Sequence, residues 1–344
     1  MSSKTSTLAY GMAIAMSLPS FDTTVVAQAA DDASRRTRPV HTYSIVARDA
    51  QTGQLGVAVQ SHYFSVGPIV PWAEAGVGAV ATQSLAKVDY GPDGLALMRQ
   101  GLTAKQALAA LLENDEGREV RQVAMVDANG NVAVHTGAKC IVPAGHLTGH
   151  EFSVQANLML NDRVWPAMKA AFESAAGDLA DRMVAALEAA QAAGGDIRGQ
   201  QSAAIVVVSG EKQEKPWKGR LFDLRVEDHP RPVEELKRLV KLQRAYRLTD
   251  QGDEFVTAKR FDEAMAAYAT AAELAPDIVE LKFWQGVTLF KVGREDQALP
   301  MFKDIFAKEP LWADVIPRLV PLDLLPADPA ALKRITDLRA SPNP

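Results

Sequence analysis

Cysteine and histidine are scarce in this sequence. Cys140 is the only cysteine among 344 residues, which excludes an intramolecular disulfide and a zinc site of clustered cysteines. Free cysteine is among the most buried residue types, so we expect Cys140 to be a small core residue rather than a nucleophile. The six histidines are scattered, and glycines beside His146 and His150 favour a loop over a metal-binding helix face. With no P-loop and no Gly-x-Ser-x-Gly elbow either, we expect no metal and no cofactor.

Positive charge and long apolar runs are also lacking. The 37 basic residues are outnumbered by 42 acidic ones, which gives a net charge of −5. Nucleic acid requires a basic face, so we expect no nucleic acid partner. No apolar run approaches the roughly 20 residues that a transmembrane helix needs, which argues against a membrane span.

The N-terminal segment is typical of an export signal followed by a short connection. Lys4 supplies a positive charge, residues 8–18 are mostly apolar, and Ala27-Gln28-Ala29 has the small-x-small pattern of a cleavage site. We therefore expect a signal peptide at residues 1–29, a linker or propeptide at 30–41, and a secreted or periplasmic protein. The alternative is an ordinary cytoplasmic tail.

Residues 42–228 alternate between strand and helix patterns. From Thr42 onward apolar residues recur with the period of two of a β-strand, and Asn129-Gly130 predicts a hairpin turn. Thr103 and Gln106 form a capping box that opens a helix. The order is strands, two helices, strands, two helices, strands. This order predicts an α+β fold in which helix pairs cover two sheets, a four-layer α/β/β/α sandwich.

The C-terminal region carries an internal repeat. Five positions recur at a constant offset of 34 residues, which is the tetratricopeptide period. The matched pairs are Gly252/Gly286, Ala264/Ala298, Tyr268/Phe302, Ala271/Ile305 and Pro276/Pro310. We expect an all-α tetratricopeptide-like domain at residues 235–325 that binds a protein partner or self-associates. The alternative is an ordinary helical bundle.

The repeat region holds large apolar side chains that need a cover. Two hairpins are fewer than the roughly three that make a stable stack, and Pro317 and Pro321 interrupt the helix that would cap it. We therefore expect the first domain or a second copy of the chain to cover Trp284, Phe290 and Phe302. The alternative is a cover by the flanking helices. We also expect residues 42–228 to fold without the repeats.

Several strings in the first domain carry a family resemblance. They are HTYSIVARD at 41–49, GQLGVAV at 53–59, GVGAVATQ at 76–83, YGP at 90–92, VQAN at 154–157 and GGDIRGQQSAA at 194–204. These strings resemble a bacterial family catalogued as domain of unknown function 1028. The resemblance implies a fold similar to the N-terminal-nucleophile hydrolases, in agreement with the predicted layers, and it limits the reaction class only weakly.

The same resemblance implies a role for Thr42. A threonine hydroxyl is a weak nucleophile unless a base takes its proton, and the α-amino group of an N-terminal threonine can be that base. Thr42 matches the first-strand threonine of the family, but twelve residues would precede it after signal removal. The His41–Thr42 bond would therefore have to be cut, by the chain itself or by a protease. We predict Thr42 as the nucleophile and Asn157, an amide on a central strand, as the oxyanion donor.

Five further residues are candidates for binding a small amide-containing substrate. Ser44 faces the same side as Thr42 by strand alternation, and Gln83 ends a buried strand. Asp196, Arg198 and Gln201 lie in a glycine-rich loop that permits close approach of a ligand. The alternatives are an Asp–Arg pair that only shapes this turn and a Thr42 that is only a strand residue. The predicted function is an exported amide-bond hydrolase. The alternatives are a non-catalytic scaffold and hydrolysis by the unprocessed chain through Ser44.

Overall fold

The computed structural model describes residues 40–339. The predicted signal peptide and nearly all of the predicted linker or propeptide lie outside these residues. Two β-sheets come first along the chain, and a helical region follows them. The predicted α+β class is therefore confirmed. No helix among the described residues combines the length and the apolar character that crossing a bilayer requires.

The first sheet has six antiparallel strands in the order β10-β9-β2-β1-β8-β7. Their bounds are β1 Thr42–Arg48, β2 Leu55–Ser61, β7 Gly145–Gly149, β8 Phe152–Ala156, β9 Ser202–Val208 and β10 Arg220–Val226. The β1–β2 hairpin closes at Asp49, whose carboxylate accepts the backbone N–H groups of Gln51 and Thr52. Tight pairing of β1 with β2 places Thr42 directly opposite Ser61.

The second sheet has four strands in the order β3-β4-β5-β6. Their bounds are β3 Pro71–Glu74, β4 Gly78–Ser84, β5 Arg121–Asp127 and β6 Val132–Thr136. The predicted turn joins β5 to β6, and Gly130 adopts the positive φ of 84° that this turn requires. Strands β3 and β7 were not predicted. Both are short edge strands, and Pro or Gly at such positions hides the strand pattern.

Two helix pairs pack on the sheets. Helices α1 (Tyr90–Arg99) and α2 (Ala104–Glu113) share an apolar cluster with the second sheet, while α3 (Val164–Ser174) and α4 (Leu179–Ala192) share one with the first. A third cluster joins valines and alanines of both sheets. The predicted capping box at the start of α2 is present, with Thr103 and Gln106 each bonding the other's backbone N–H.

One long helix connects the sheets to the helical region. Helix α5 runs over 26 residues, Pro232–Thr257, and so crosses the predicted domain boundary. Its first turns bury Val233, Leu236 and Val240 in the apolar cluster of the first sheet, while Ala245 packs with the following helices. A chain ending at residue 228 would lack these three side chains, and the independent folding of residues 42–228 stays a prediction.

The helical region continues as two antiparallel hairpins and a C-terminal cover. Its helices are α6 Phe261–Leu274, α7 Val279–Lys291, α8 Glu295–Lys308, α9 Ile316–Leu319 and α10 Pro329–Thr336. Gly252 packs against the ring of Tyr268, and 34 residues later Gly286 packs against Phe302. A close glycine–aromatic contact thus repeats with the period read from the sequence.

The apolar side chains of the repeats are covered from within the chain. Phe290 and Phe302 are buried in one cluster with Ile316, Leu319 and Ile335 of the C-terminal helices. The expectation that a second copy or the first domain covers these phenylalanines is wrong. Pro317 does not prevent capping, because it stands in the first turn of the short helix α9, where a missing N–H costs nothing.

Candidate functional site

Thr42 lies at the start of β1, fully buried, on the side of the strand that faces the second sheet. Its hydroxyl donates to the carbonyl of Val40 at 2.8 Å. Ser44, two residues on, faces the same way, and its hydroxyl donates to Gln83 Oε1 at 2.6 Å across the gap between the sheets. Strand alternation places Thr42 and Ser44 on one face of β1, as predicted, and the packing of the second sheet brings Gln83 to them.

The carbonyl oxygen of His41 accepts two hydrogen bonds from side chains. Ser61 Oγ donates at 2.5 Å, and Arg198 Nη2 donates at 2.9 Å. Asp196 fixes the guanidinium in place, through Oδ1 with Nε at 3.0 Å and Oδ2 with Nη2 at 2.7 Å. This carbonyl belongs to the peptide bond that joins His41 to Thr42. Two donors on one carbonyl oxygen polarise the bond and stand where negative charge would develop if Thr42 attacked it.

Asn157 holds both residues of that peptide bond. Its backbone N–H donates to Thr42 O at 3.1 Å, and its side-chain Oδ1 is hydrogen-bonded to His41 Nδ1 at 2.7 Å. Its side-chain Nδ2 donates to Gln122 Oε1 at 2.9 Å. The predicted oxyanion donor therefore lies in the site, but its amide contacts the imidazole and Gln122. The carbonyl oxygen of His41 accepts from Ser61 and Arg198 instead.

Burial sets the protonation of His41. Desolvation lowers the pKa of the imidazole below its ordinary value, and the nearby Arg198 charge lowers it further. The hydrogen bond that His41 Nδ1 donates to Asn157 Oδ1 and the charge of Asp196 act in the opposite direction without cancelling the effect of burial. The net lowering of the His41 pKa favours the neutral imidazole.

A chain of buried amides braces this site between the sheets. Gln83 Nε2 donates to Gln122 Oε1 at 2.6 Å, and Gln155 Nε2 donates to the Ser44 hydroxyl at 2.6 Å. Gln122 Nε2 donates onward to the hydroxyl of Thr136 at 2.9 Å. Because these amides are satisfied by each other, the network can be buried without the cost of unpaired polar atoms, and it holds the end of β1 rigidly.

The structure brings six of the seven predicted site residues to one region: Thr42, Ser44, Gln83, Asn157, Asp196 and Arg198. Gln201 stays apart, since its side chain is turned toward the surface, where its amide donates to Asp228 at 3.2 Å. Prediction missed Ser61, Gln122 and Gln155. Each is a polar residue in an otherwise buried strand, and that contrast with the surrounding valines and alanines was the available signal.

Other reactive groups do not form a second centre. Within residues 40–339 no group of three or more His, Cys, Asp or Glu side chains is placed to hold a metal ion. Cys140 is buried, and its thiol donates to Arg121 O at 3.3 Å. Burial raises the pKa of this thiol, which disfavours the reactive thiolate.

The fold and the site define a two-sheet α+β protein whose first strand begins at a buried, braced threonine. The chain belongs to the family of unknown function DUF1028, whose model matches residues 42–236. The end of the match, at residue 236, includes the first turn of α5, in agreement with the packing of Val233 and Leu236 on the first sheet. No curated protein matches the chain.

A solved structure from the same family is similar to this chain. It is the crystal structure of a protein from Silicibacter pomeroyi, described under the same DUF1028 family model. The two are 30% identical in sequence, with a TM-score of 0.53, over 58% of this chain and 88% of the other. The similarity therefore spans nearly all of that protein and just over half of this one.

Proposed function

We propose that the chain is an exported amide-bond hydrolase of the N-terminal-nucleophile type, in which Thr42 becomes the nucleophile once the His41–Thr42 bond is cut. The observation that carries the proposal is the pair of donors, Ser61 and Arg198, on the carbonyl oxygen of His41. Such a pair of donors would stabilise the oxyanion that forms if this bond is cut. Both donors come from parts of the chain far from residue 41, so the fold assembles them at this bond.

The cut is proposed to be made by the chain itself. The Thr42 hydroxyl leaves its bond to Val40 and attacks the His41 carbonyl carbon, and Ser61 and Arg198 stabilise the oxyanion. The C–N bond then breaks, the nitrogen takes the hydroxyl proton, and His41 is left as an ester on Thr42 Oγ1. Water hydrolyses the ester, which yields a carboxylate at His41 and a free hydroxyl and α-amine at Thr42.

The same groups serve turnover after the cut. The α-amine of an N-terminal residue has an ordinary pKa of about 7.7–8.0, so it accepts a proton from the hydroxyl near neutral pH. Arg198 stands beside the position of this amine, and a neighbouring positive charge favours its neutral form. The hydroxyl attacks the substrate carbonyl, and an acyl-enzyme forms. Ser44 and Gln83 brace β1, while Asp196 orients Arg198.

The architecture supports this assignment. Two sheets that share an apolar cluster, each with a helix pair on its other side, are the arrangement that we expect of an α/β/β/α sandwich. We propose that the helical region is a pair of tetratricopeptide-like repeats, supported by the contact that recurs after 34 residues. Its partner surface would be a concave cavity of about 900 Å³ lined by Trp284, Lys259 and Lys291, which suits a protein segment with apolar and acidic groups.

Export is proposed from the sequence pattern of residues 1–29. A short apolar run followed by Ala27-Gln28-Ala29 is typical of a secretory signal. The protein would then be secreted or periplasmic. Mass spectrometry of protein from the culture medium or periplasm of its native host should show a chain that lacks these residues. A chain that keeps Met1 would contradict export.

The start of the mature chain tests the proposed function. Purified chain 30–344 should convert on incubation to a species that begins at Thr42, as seen by intact mass and N-terminal sequencing. The Thr42→Ala variant should remain intact under the same conditions, which separates self-cleavage from a contaminating protease. A wild-type chain that stays intact at His41–Thr42 would refute the proposal.

A non-catalytic scaffold is the second candidate. In the uncut chain the Thr42 nitrogen is part of a peptide bond, and the hydroxyl is bonded to Val40, so the amine base does not exist. As a scaffold, the uncut chain would act through the helical region as an interaction surface. The intact-mass experiment decides between the two, because only the hydrolase requires a new N-terminus.

A further inference from the structure

The two residues before Thr42 lie in the site as a bound peptide would. Val40 N–H donates to Ser84 O at 2.6 Å, and Ser84 N–H donates back to Val40 O at 2.9 Å. This antiparallel bridge attaches the segment to the last residue of β4. Extended peptides are often recognised in this way, because main-chain hydrogen bonds hold the backbone while side chains enter separate pockets.

Each group of this short segment has its own partner. The Val40 side chain is 1% exposed and belongs to the apolar cluster between the sheets. His41 is 2% exposed, and its ring Nδ1 is 2.7 Å from Asn157 Oδ1 in a hydrogen bond. The His41 carbonyl is held by Ser61 and Arg198. An apolar side chain, a polar ring and a carbonyl therefore occupy three defined positions ahead of the nucleophile.

The chemistry links this segment to a substrate. Self-cleavage passes through an ester in which the His41 acyl group is attached to Thr42 Oγ1. A peptidyl amide with histidine on the acyl side would give the same ester, because Thr42 Oγ1 displaces its amine and the amine leaves with the hydroxyl proton. Water then releases the peptide acid from either ester. A site that holds the first ester holds the second equally well.

We infer that the substrates are peptidyl amides cleaved on the carboxyl side of histidine, with an apolar residue before the histidine. This inference rests on the proposed function. Asn157 selects the imidazole. A leucine at this position would leave the buried Asn157 Oδ1 without its donor, and an unpaired buried acceptor costs free energy that the histidine substrate does not lose. Ser84 sets the register by pairing with the preceding residue, so a lone acylated histidine would bind less well.

The test uses chain that has already been cut to Thr42 and three para-nitroanilides. They are acetyl-Val-His, acetyl-Val-Leu, and acetyl-Val-His in which the valine nitrogen is methylated. We expect kcat/KM for the first to exceed that for the second by about ten-fold or more, since a site built to bond a polar group rejects an analogue that lacks it. Methylation removes the N–H that pairs with Ser84 O, and it should lower kcat/KM by a similar factor.

The Asn157→Ala variant provides a second measurement. The ratio of kcat/KM between the histidine and leucine substrates should fall toward one, and this ratio does not depend on how much of the variant is folded. Equal rates on both substrates in the wild type, or no turnover of either by chain that begins at Thr42, would overturn the inferred substrate class while leaving self-cleavage in place. Failure to generate the Thr42 terminus at all would instead refute the proposed function.

Discussion

The sharpest prediction concerns Ser61→Ala. The Ser61 hydroxyl is fully buried and donates to the His41 carbonyl oxygen at 2.5 Å. Replacing it with alanine removes one of the two donors from the bond to be cut and leaves Arg198 as the other. The change deletes a single oxygen atom inside a packed strand, so the backbone of β2 should be undisturbed.

The expected magnitude follows from the difference between two hydrogen bonds. A donor to a developing oxyanion is worth roughly 2.7–4 kcal/mol, whereas a bond to the neutral carbonyl contributes about 1 kcal/mol to stability. Only the difference, about 2–3 kcal/mol, accelerates the reaction, because the ground-state bond is already present. At 1.4 kcal/mol for each factor of ten, Ser61→Ala should slow self-cleavage about 30- to 140-fold. It should lower the free energy of unfolding by only about 1 kcal/mol.

The assay is the loss of intact chain 30–344 over time, followed by mass spectrometry, with thermal unfolding recorded in parallel. Ser153→Ala is the matched control. Ser153 is equally buried and donates to Gln155 Oε1 at 2.9 Å, but it makes no hydrogen bond to His41 or Thr42. Its variant should cleave within about two-fold of wild type at a similar loss of stability. If both serine variants slow equally, or if Ser61→Ala cleaves at the wild-type rate, the assignment of Ser61 to the oxyanion is incorrect.

Three further predictions can be checked with variants of the same chain. Thr42→Ser should retain self-cleavage and turnover, and Thr42→Ala should lose both, since only the hydroxyl is required. The two variants should melt within a few degrees of each other. Activity in the Thr42→Ala variant would show that another residue is the nucleophile. Burial lowers the pKa of His41 in the folded chain, so the unfolded chain binds a proton there more readily than the folded chain does. The free energy of unfolding should therefore fall as pH drops through about 6.5. The uncut Thr42→Ala protein is used for this measurement. Denaturant titrations at several pH values should show a smaller fall when His41→Gln is added, and an unchanged fall would show that other groups are responsible. Gly252→Ala would place a Cβ 2.5 Å from the ring of Tyr268 and should destabilise the helical region by about 1–3 kcal/mol, whereas exposed Gln251→Ala should have little effect in the same circular dichroism melts.

Local chemistry in the sequence determined much of the secondary structure. Apolar alternation after Thr42 predicted β1 because successive side chains of a strand point to opposite faces. The capping box at Thr103 predicted the start of α2 for an equally local reason, since capping satisfies N–H groups within one turn. The 34-residue offset from Gly252 to Gly286 predicted the paired helices, because a close helix contact requires a small residue at the same place in each repeat.

Tertiary structure alone decided which polar residues meet at the His41–Thr42 bond. Ser61 is there because β2 pairs with β1 in one register, and Arg198 because the loop before β9 folds back to the same end of the sheet. Helix α5 likewise begins at Pro232, in the first helical turn where proline is tolerated, and its packing on the first sheet was not encoded in any local pattern. Residues separated by more than a hundred positions come into hydrogen-bonding distance only through strand order and sheet packing. No pattern within a short window of sequence encodes such a contact.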